Sequence, residues 1–355
     1  MGQILRAGVK STLARWVLRR RKDRGAVPVP TPQDEATHAW DGQPRFVEDY
    51  TFVGAQAGLG VVLRLEWLPG RQSQRVWVVI LRPDGVWTPQ GGLRLVRIGG
   101  GSRWAAGGLT LDCQAPFQRW SVRYCGPLIG QGRRPSARRL RLVSDDEDTV
   151  RGSVDLTFVS EAPPYVPGID DDPELVARRL GEATWDARLW RATRDVGLRG
   201  YVQLGQLLGT VAVGDVLVPV RAMSLRQHHW GLRDWEACEE AYRCAWMTED
   251  ERRGWLHHTR RPLLTRDGGF VAHRGRVAPV RSLSSTAEIR PGRAPARIGL
   301  TFGDVDGTRR LQTELVSEFG LVVDRARIDL GLLRITGRAP GWGIWAGLRP
   351  DRPER

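Results

Sequence analysis

Ten consecutive residues carry the densest chemistry in the chain: Arg226-Gln227-His228-His229-Trp230-Gly231-Leu232-Arg233-Asp234-Trp235. They follow an apolar run at 211–220 that reads as a strand, so alternation puts His228 and Trp230 on one face and His229 on the other. An imidazole titrates near neutrality, and an indole face stabilises positive charge in an apolar cavity. Together they are what a proton-transfer or cation-stabilising site needs. Arg233 and Asp234 can form a charge-assisted pair after Gly231, with Asp234 orienting His228. His228 and Asp234 are therefore the candidate catalytic residues, and Arg226, Trp230, Arg233 and Trp235 candidate ligand contacts. The same letters also suit a packing corner, with the indoles in the core and the ion pair capping a turn.

Other constellations are weaker. His257-His258 could join His228-His229 and Asp234 around a metal, but adjacent histidines on a strand point to opposite faces, so each pair offers one ligand per face. No metal and no cofactor is assigned. Ser284-Ser285 lacks a nucleophile-elbow context. The acidic runs at 145–148 and 170–172 lack EF-hand spacing and read as solvated turns. Lys occurs only at Lys10 and Lys22, and Asn is absent. A phosphate-loop Lys, a Schiff-base Lys and a kinase catalytic-loop Asn are thereby missing from the folded body, which excludes nucleotide-dependent phosphoryl transfer. Cys113, Cys125, Cys238 and Cys244 show no CxxC spacing and read as reduced, buried thiols of an intracellular protein.

The elements that must position these residues are strands. Val61, Leu63, Leu65 and Trp67 alternate with Val62, Arg64 and Glu66, which puts the first set on a buried face and the second on a solvated one. Short runs of this kind recur to about residue 159 and again from 201 to 336. Between them, a Pro- and Asp-rich break leads into helices at 174–180 and 185–193, with Asp172 as N-cap before Pro173. The chain is thus all-β, in two barrel-like halves: a tail and linker at 1–44, a first barrel at 45–165, a helical connector at 166–195 and a second barrel at 196–349. The net charge of +14 is nearly all Arg, sprinkled along strands as a salted surface and not gathered into a groove, so no nucleic-acid partner is expected.

Residues 1–25 stand apart. Leu5, Val9, Leu13 and Trp16 recur at helical spacing among eight basic residues and one acid, giving a basic amphipathic helix. It suits a mitochondrial presequence, a membrane-surface helix or an inert tail. The expected location is intracellular, mitochondrial ahead of cytoplasmic.

The segment His228-His229-Trp230-Gly231-Leu232-Arg233-Asp234-Trp235 resembles the hallmark of the carotenoid 1,2-hydratase (hydroxyneurosporene synthase) and AttH-like superfamily. That hallmark usually reads Arg-Asp-His-Ser-Trp-Gly, so Gln227 and His229 depart from it. Tyr201-Val202-Gln203 with Gly209-Thr210, and Pro116-Phe117-Gln118-Arg119-Trp120 with Gly126, resemble its flanking signatures. The resemblance implies two consecutive lipocalin-like antiparallel β-barrels and a site lined by His228 and Trp230; Tyr201 and Gln203, on the strand before the hallmark, are further candidate ligand contacts. The family's Tyr-x-Asp, whose Asp donates a proton to an isoprenoid alkene, falls by spacing at Trp255-Leu256-His257, where no Asp stands. Trp255 and His257 enter as ligand contacts on that ground. The expectation is a second barrel that binds an apolar, lipid- or isoprenoid-like molecule. A hydratase or isomerase using His228, or a structural protein without a ligand, are the alternatives.

Overall fold

Alternation shapes both sheets of the computed structural model, which describes residues 8–16, 29–89, 93–97, 104–132, 149–187, 189, 198–233, 238–286 and 295–351. The first sheet comprises β1 (Phe46–Gln56), β2 (Leu59–Leu68), β3 (Ser73–Arg82), β4 (Gly85–Thr88), β5 (Leu93–Arg97), β6 (Ala105–Ala106), β7 (Leu109–Ala115), β8 (Arg119–Gln131), β9 (Thr149–Ser160), β10 (Leu198–Val213) and β11 (Val216–Leu232). The second comprises β12 (Glu240–Thr248), β13 (Arg253–Arg260), β14 (Thr265–His273), β15 (Arg276–Pro279), β16 (Ser282–Ser285), β17 (Arg297–Asp304), β18 (Gly307–Val323), β19 (Ala326–Thr336) and β20 (Gly341–Pro350).

The first sheet runs β4-β3-β2-β1-β11-β10-β9-β8, and a β4–β8 pairing closes it into an eight-stranded barrel. The second runs β15-β14-β13-β12-β20-β19-β18-β17-β16 and stays open as a half-barrel. The chain is thus all-β in two units, with one correction to their division. β10 and β11, expected in a unit starting at residue 196, pair with β9 and β1 and complete the first barrel. Without them β1 and β9 would each present an edge of unpaired backbone groups. The two-residue turn Gly214-Asp215, with Gly214 at φ 56°, joins β10 to β11 and fixes the register that sets Tyr201 opposite His228.

Inside the barrel, Phe52, Leu63, Val78, Phe158 and Leu207 form an apolar core. Its outer face is buried as well. Val62, Trp77, Val79 and Leu81 pack against Leu321, Ile328, Leu330 and Ile344 of the half-barrel. Hence Arg64 and Glu66, expected on a solvated face, are covered. A second sheet laid over the first is the reason, and alternation within one strand cannot reveal it.

Helix α1 (residues 8–16) docks through Lys10 Nζ, which donates to Ala183 O at 3.0 Å, and through Arg15, 2.6 Å from Glu174. Val9, Leu13 and Trp16 remain exposed. Helix α2 (Pro173–Glu182) starts as expected: Asp172 accepts from the backbone N–H groups of Glu174 and Leu175, both at 3.0 Å. Asp171, read as part of a solvated turn, is buried and accepts from Tyr165 Oη at 2.6 Å and Gly168 N at 2.6 Å. Of the four thiols expected to be buried, Cys238 and Cys244 are; Cys113 is partly exposed and Cys125 exposed, and all four are unpaired. The expected strand at 138–143, the acidic run at 145–148 and most of the helix at 185–193 lie outside the described residues.

Candidate functional site

Even-numbered residues of β1 and β11 point into the barrel, so Glu48, Tyr50, Arg226, His228 and Trp230 converge near its mouth. Odd-numbered Tyr201 and Gln203 join them from β10. A 3-10 turn, Pro32–Glu35, and the strap that follows it lie across this mouth. Glu35 turns inwards. Arg226 grips both of its carboxylate oxygens, Nη1 to Oε2 at 2.8 Å and Nη2 to Oε1 at 2.7 Å, and Trp120 Nε1 adds a third bond at 2.9 Å. Tyr201 Oη donates to Glu35 Oε1. Arg226 Nη2 also donates to Gln203 Oε1 at 2.6 Å, and Gln203 Nε2 in turn donates to Phe117 O at 2.7 Å.

His228 is fully buried, with Nε2 3.0 Å from Glu48 Oε1 and Nδ1 3.4 Å from Tyr201 Oη. Burial pushes its imidazole below the usual range. Burial pushes the Glu48 carboxyl up, but the bonds from His228 and His38 outweigh it and hold Glu48 ionised. His228 Nε2 thus faces an ionised carboxylate oxygen. The ring is stacked on Tyr50 at 3.9 Å, while His38 stacks on Trp230 at 4.0 Å and reaches the same Glu48 oxygen at 2.8 Å. His38, Glu48 and His228 place one ligand atom each within 4.8 Å of one another. They form the one such group among the described residues.

His229 points the other way, as alternation requires. Its Nδ1 lies 3.6 Å from Asp49 Oδ1, and burial lowers its imidazole to about 4. Gly200 opposite it leaves room for this packing, since a Cβ there would lie 2.2 Å from His228 O. Asp49 also pairs with Arg64 and Arg233. These guanidiniums outweigh its burial and hold its carboxyl well below the usual range. Both arginines also reach Glu66, each at 2.6 Å.

On this outer face a cavity of about 190 Å³ lies between barrel and half-barrel. Val62, Leu225, Ile328 and Leu330 wall it, and Arg64, Gln227, Arg233 and Arg243 give it a polar end. Arg243 Nη1 donates to Gln227 Oε1 at 3.0 Å, and no carboxylate pairs with Arg243 among the described residues. Burial, followed by repulsion from Arg64 and Arg233, lowers its guanidinium to about 10.

The candidates from the sequence are therefore divided. Arg226, His228, Trp230, Tyr201 and Gln203 meet at the mouth. Arg233 and Trp255 line the cavity instead. His257 belongs to neither place, its Nε2 lying 3.2 Å from Asp171. His258 is 2.6 Å from Asp267, so the two His-His pairs do not meet on a shared ion. Asp234 and Trp235 lie outside the described residues. Sequence reasoning missed Glu35, His38, Glu48, Asp49 and Arg243. The run Glu48-Asp49-Tyr50 opening an apolar strand was the available signal for two of them.

A closed barrel followed by a half-barrel is the fold that this chain shares with an AttH protein of known structure. The chain belongs to the family described as a domain of unknown function, DUF7064, whose model matches residues 31–344. Among solved structures it is similar to an AttH protein of Nitrosomonas europaea, at TM-score 0.52 and 10% identity over 91% of this chain and 96% of that one. Kievitone hydratase of Nectria haematococca gives TM-score 0.49 and 10% identity over 91% and 94%. CghA with Sch210972 gives 0.49 and 8% over 92% and 96%. No curated protein matches the chain.

Proposed function

We propose that the protein is an acid–base enzyme of hydratase or isomerase type, acting on a largely apolar small molecule held between barrel and half-barrel. One observation carries the reading: among the described residues no carboxylate pairs with Arg243, which stands with Arg64, Arg233 and Gln227 in the lining of a largely apolar cavity that Trp77 and Trp255 also wall. A guanidinium in that setting stabilises negative charge on a ligand oxygen. The volume is below the roughly 300–1,000 Å³ of a complete small-ligand pocket, so the cavity suits a ring or a short chain and not a whole isoprenoid.

Adding water to an alkene conjugated with a carbonyl forms a C–O bond, breaks the C=C π bond and leaves an enolate, which then takes a proton at carbon. Arg243 would hold the enolate oxygen. His229, neutral at pH 7 and on the same face of β11 as Gln227 though set back from the cavity lining, would take the proton from water. This moves the proton-handling role from His228, which faces away from the cavity. A second reading keeps it on His228, and the favouring observation is the buried sequence Glu35–Tyr201–His228–Glu48.

Calorimetric titration with cinnamate and its methyl ester tests the seat, and solvent deuterium entering enoates and enones in D2O tests the chemistry. Cinnamate is expected to bind and R243Q to weaken it about tenfold or more, with little change for the ester. H229Q should abolish exchange and keep binding. Exchange lost in H228Q but retained in H229Q would favour the second reading. Binding without exchange across the panel would leave a binding protein.

The exposed Val9, Leu13 and Trp16 of α1, beside the basic run Arg19-Arg20-Arg21-Lys22, support contact with an anionic membrane surface. A reporter fused to residues 1–30 separates this from the mitochondrial reading. No helix among the described residues is long and apolar enough to cross a membrane.

A further inference from the structure

We propose that His38, Glu48 and His228 form a binding site for a divalent first-row transition-metal ion at the mouth of the first barrel. His38 Nδ1 lies 2.8 Å and His228 Nε2 3.0 Å from one atom, Glu48 Oε1. With bonds of about 2.1 Å, octahedral neighbours lie about 3.0 Å apart and tetrahedral ones about 3.4 Å. The two nitrogen–oxygen spacings match the octahedral pair, and the two imidazole nitrogens lie within 4.8 Å of one another. Two imidazoles with one carboxylate are also the donor set that leaves coordination positions open on such ions.

The surroundings are those of a prepared site. Ligating imidazoles characteristically engage an oxygen through their second nitrogen. Here His38 Nε2 faces Asp34 Oδ1 at 3.8 Å, and His228 Nδ1 faces Tyr201 Oη at 3.4 Å. Trp230 stacks on His38 at an interplanar angle of 8°, and Tyr50 on His228 at 17°, so both ring planes are set before any ion arrives. The Arg226 charge on the same inner face is neutralised by Glu35, which spares an incoming cation its repulsion. Glu48 and His228 are wholly buried, whereas the His38 side chain is 21% exposed and gives the ion a route in. The site is independent of the cavity, because His228 and Gln227 project from opposite faces of β11.

The whole chain, free of any tag and dialysed against EDTA, is titrated with Co2+ by visible absorption and with Zn2+ by calorimetry. One equivalent of saturable binding is expected. H38A, which alters a partly exposed strap residue and should keep the native circular dichroism, is expected to lower affinity at least about tenfold. E48Q should do the same, and H273Q should not. No saturable uptake by the unaltered protein, or uptake unchanged in both H38A and E48Q, overturns the site.

Discussion

His228 and His229 are consecutive, yet they lie on opposite walls of one strand, the first bonded to Glu48 inside the barrel and the second beside Asp49 outside it. Both are buried and lowered, so acid acts on the folded state through them. For His229 the sign is explicit. The unfolded chain takes up the proton near pH 6.5, whereas the native imidazole resists until about 4. Between those values the unfolded state binds more protons, so stability falls as pH drops and is flat above the window. The contribution is at most about 3 kcal/mol. Urea unfolding at several pH values should show this slope, shallower in H229Q. An equal slope in H229Q would assign it to other groups.

The strands and the turn joining β10 to β11 are legible in the sequence, because alternation and turn chemistry are local. So is the shared face of His228 and Trp230. What packs against those faces is not local. Glu35 meets Arg226 across 191 residues, and no period in either segment announces the meeting. Arg64 and Glu66 mislead for the same reason: an alternating polar residue looks solvated until a second sheet covers it.

Removing the Glu35 carboxylate should be costly. It would leave Arg226, fully buried, without its ionic partner, and Trp120 Nε1 and Tyr201 Oη without their acceptor. E35A is expected to lose roughly 3–5 kcal/mol in urea unfolding. It should also free the strap at 29–44 for limited proteolysis. A loss under about 1 kcal/mol would mean that water replaces the carboxylate and that the mouth opens readily.

At the tail, apolar and basic residues should act together on a charged surface. Vesicles with anionic lipid should retain the protein, and neutral vesicles should not. Replacing the exposed Trp16 with Ala should reduce the retained fraction, and added salt should do so more strongly. Equal retention on both vesicle types would remove the electrostatic part of this reading.

Filling the cavity separates binding from folding. Ala346 lines it opposite the barrel wall, next to Trp345, which packs in the half-barrel core. Enlarging it to Leu extends apolar surface into existing space, so A346L should unfold at the same or a higher denaturant concentration. An overpacked site would instead cost about 1–3 kcal/mol. The same substitution removes room for a ligand, and cinnamate titration should then show little or no heat of binding. If A346L folds normally and binds cinnamate as tightly as the unaltered protein does, the ligand seat lies elsewhere. Arg243 would then be a structural cation of the seam between the two sheets and not a ligand contact.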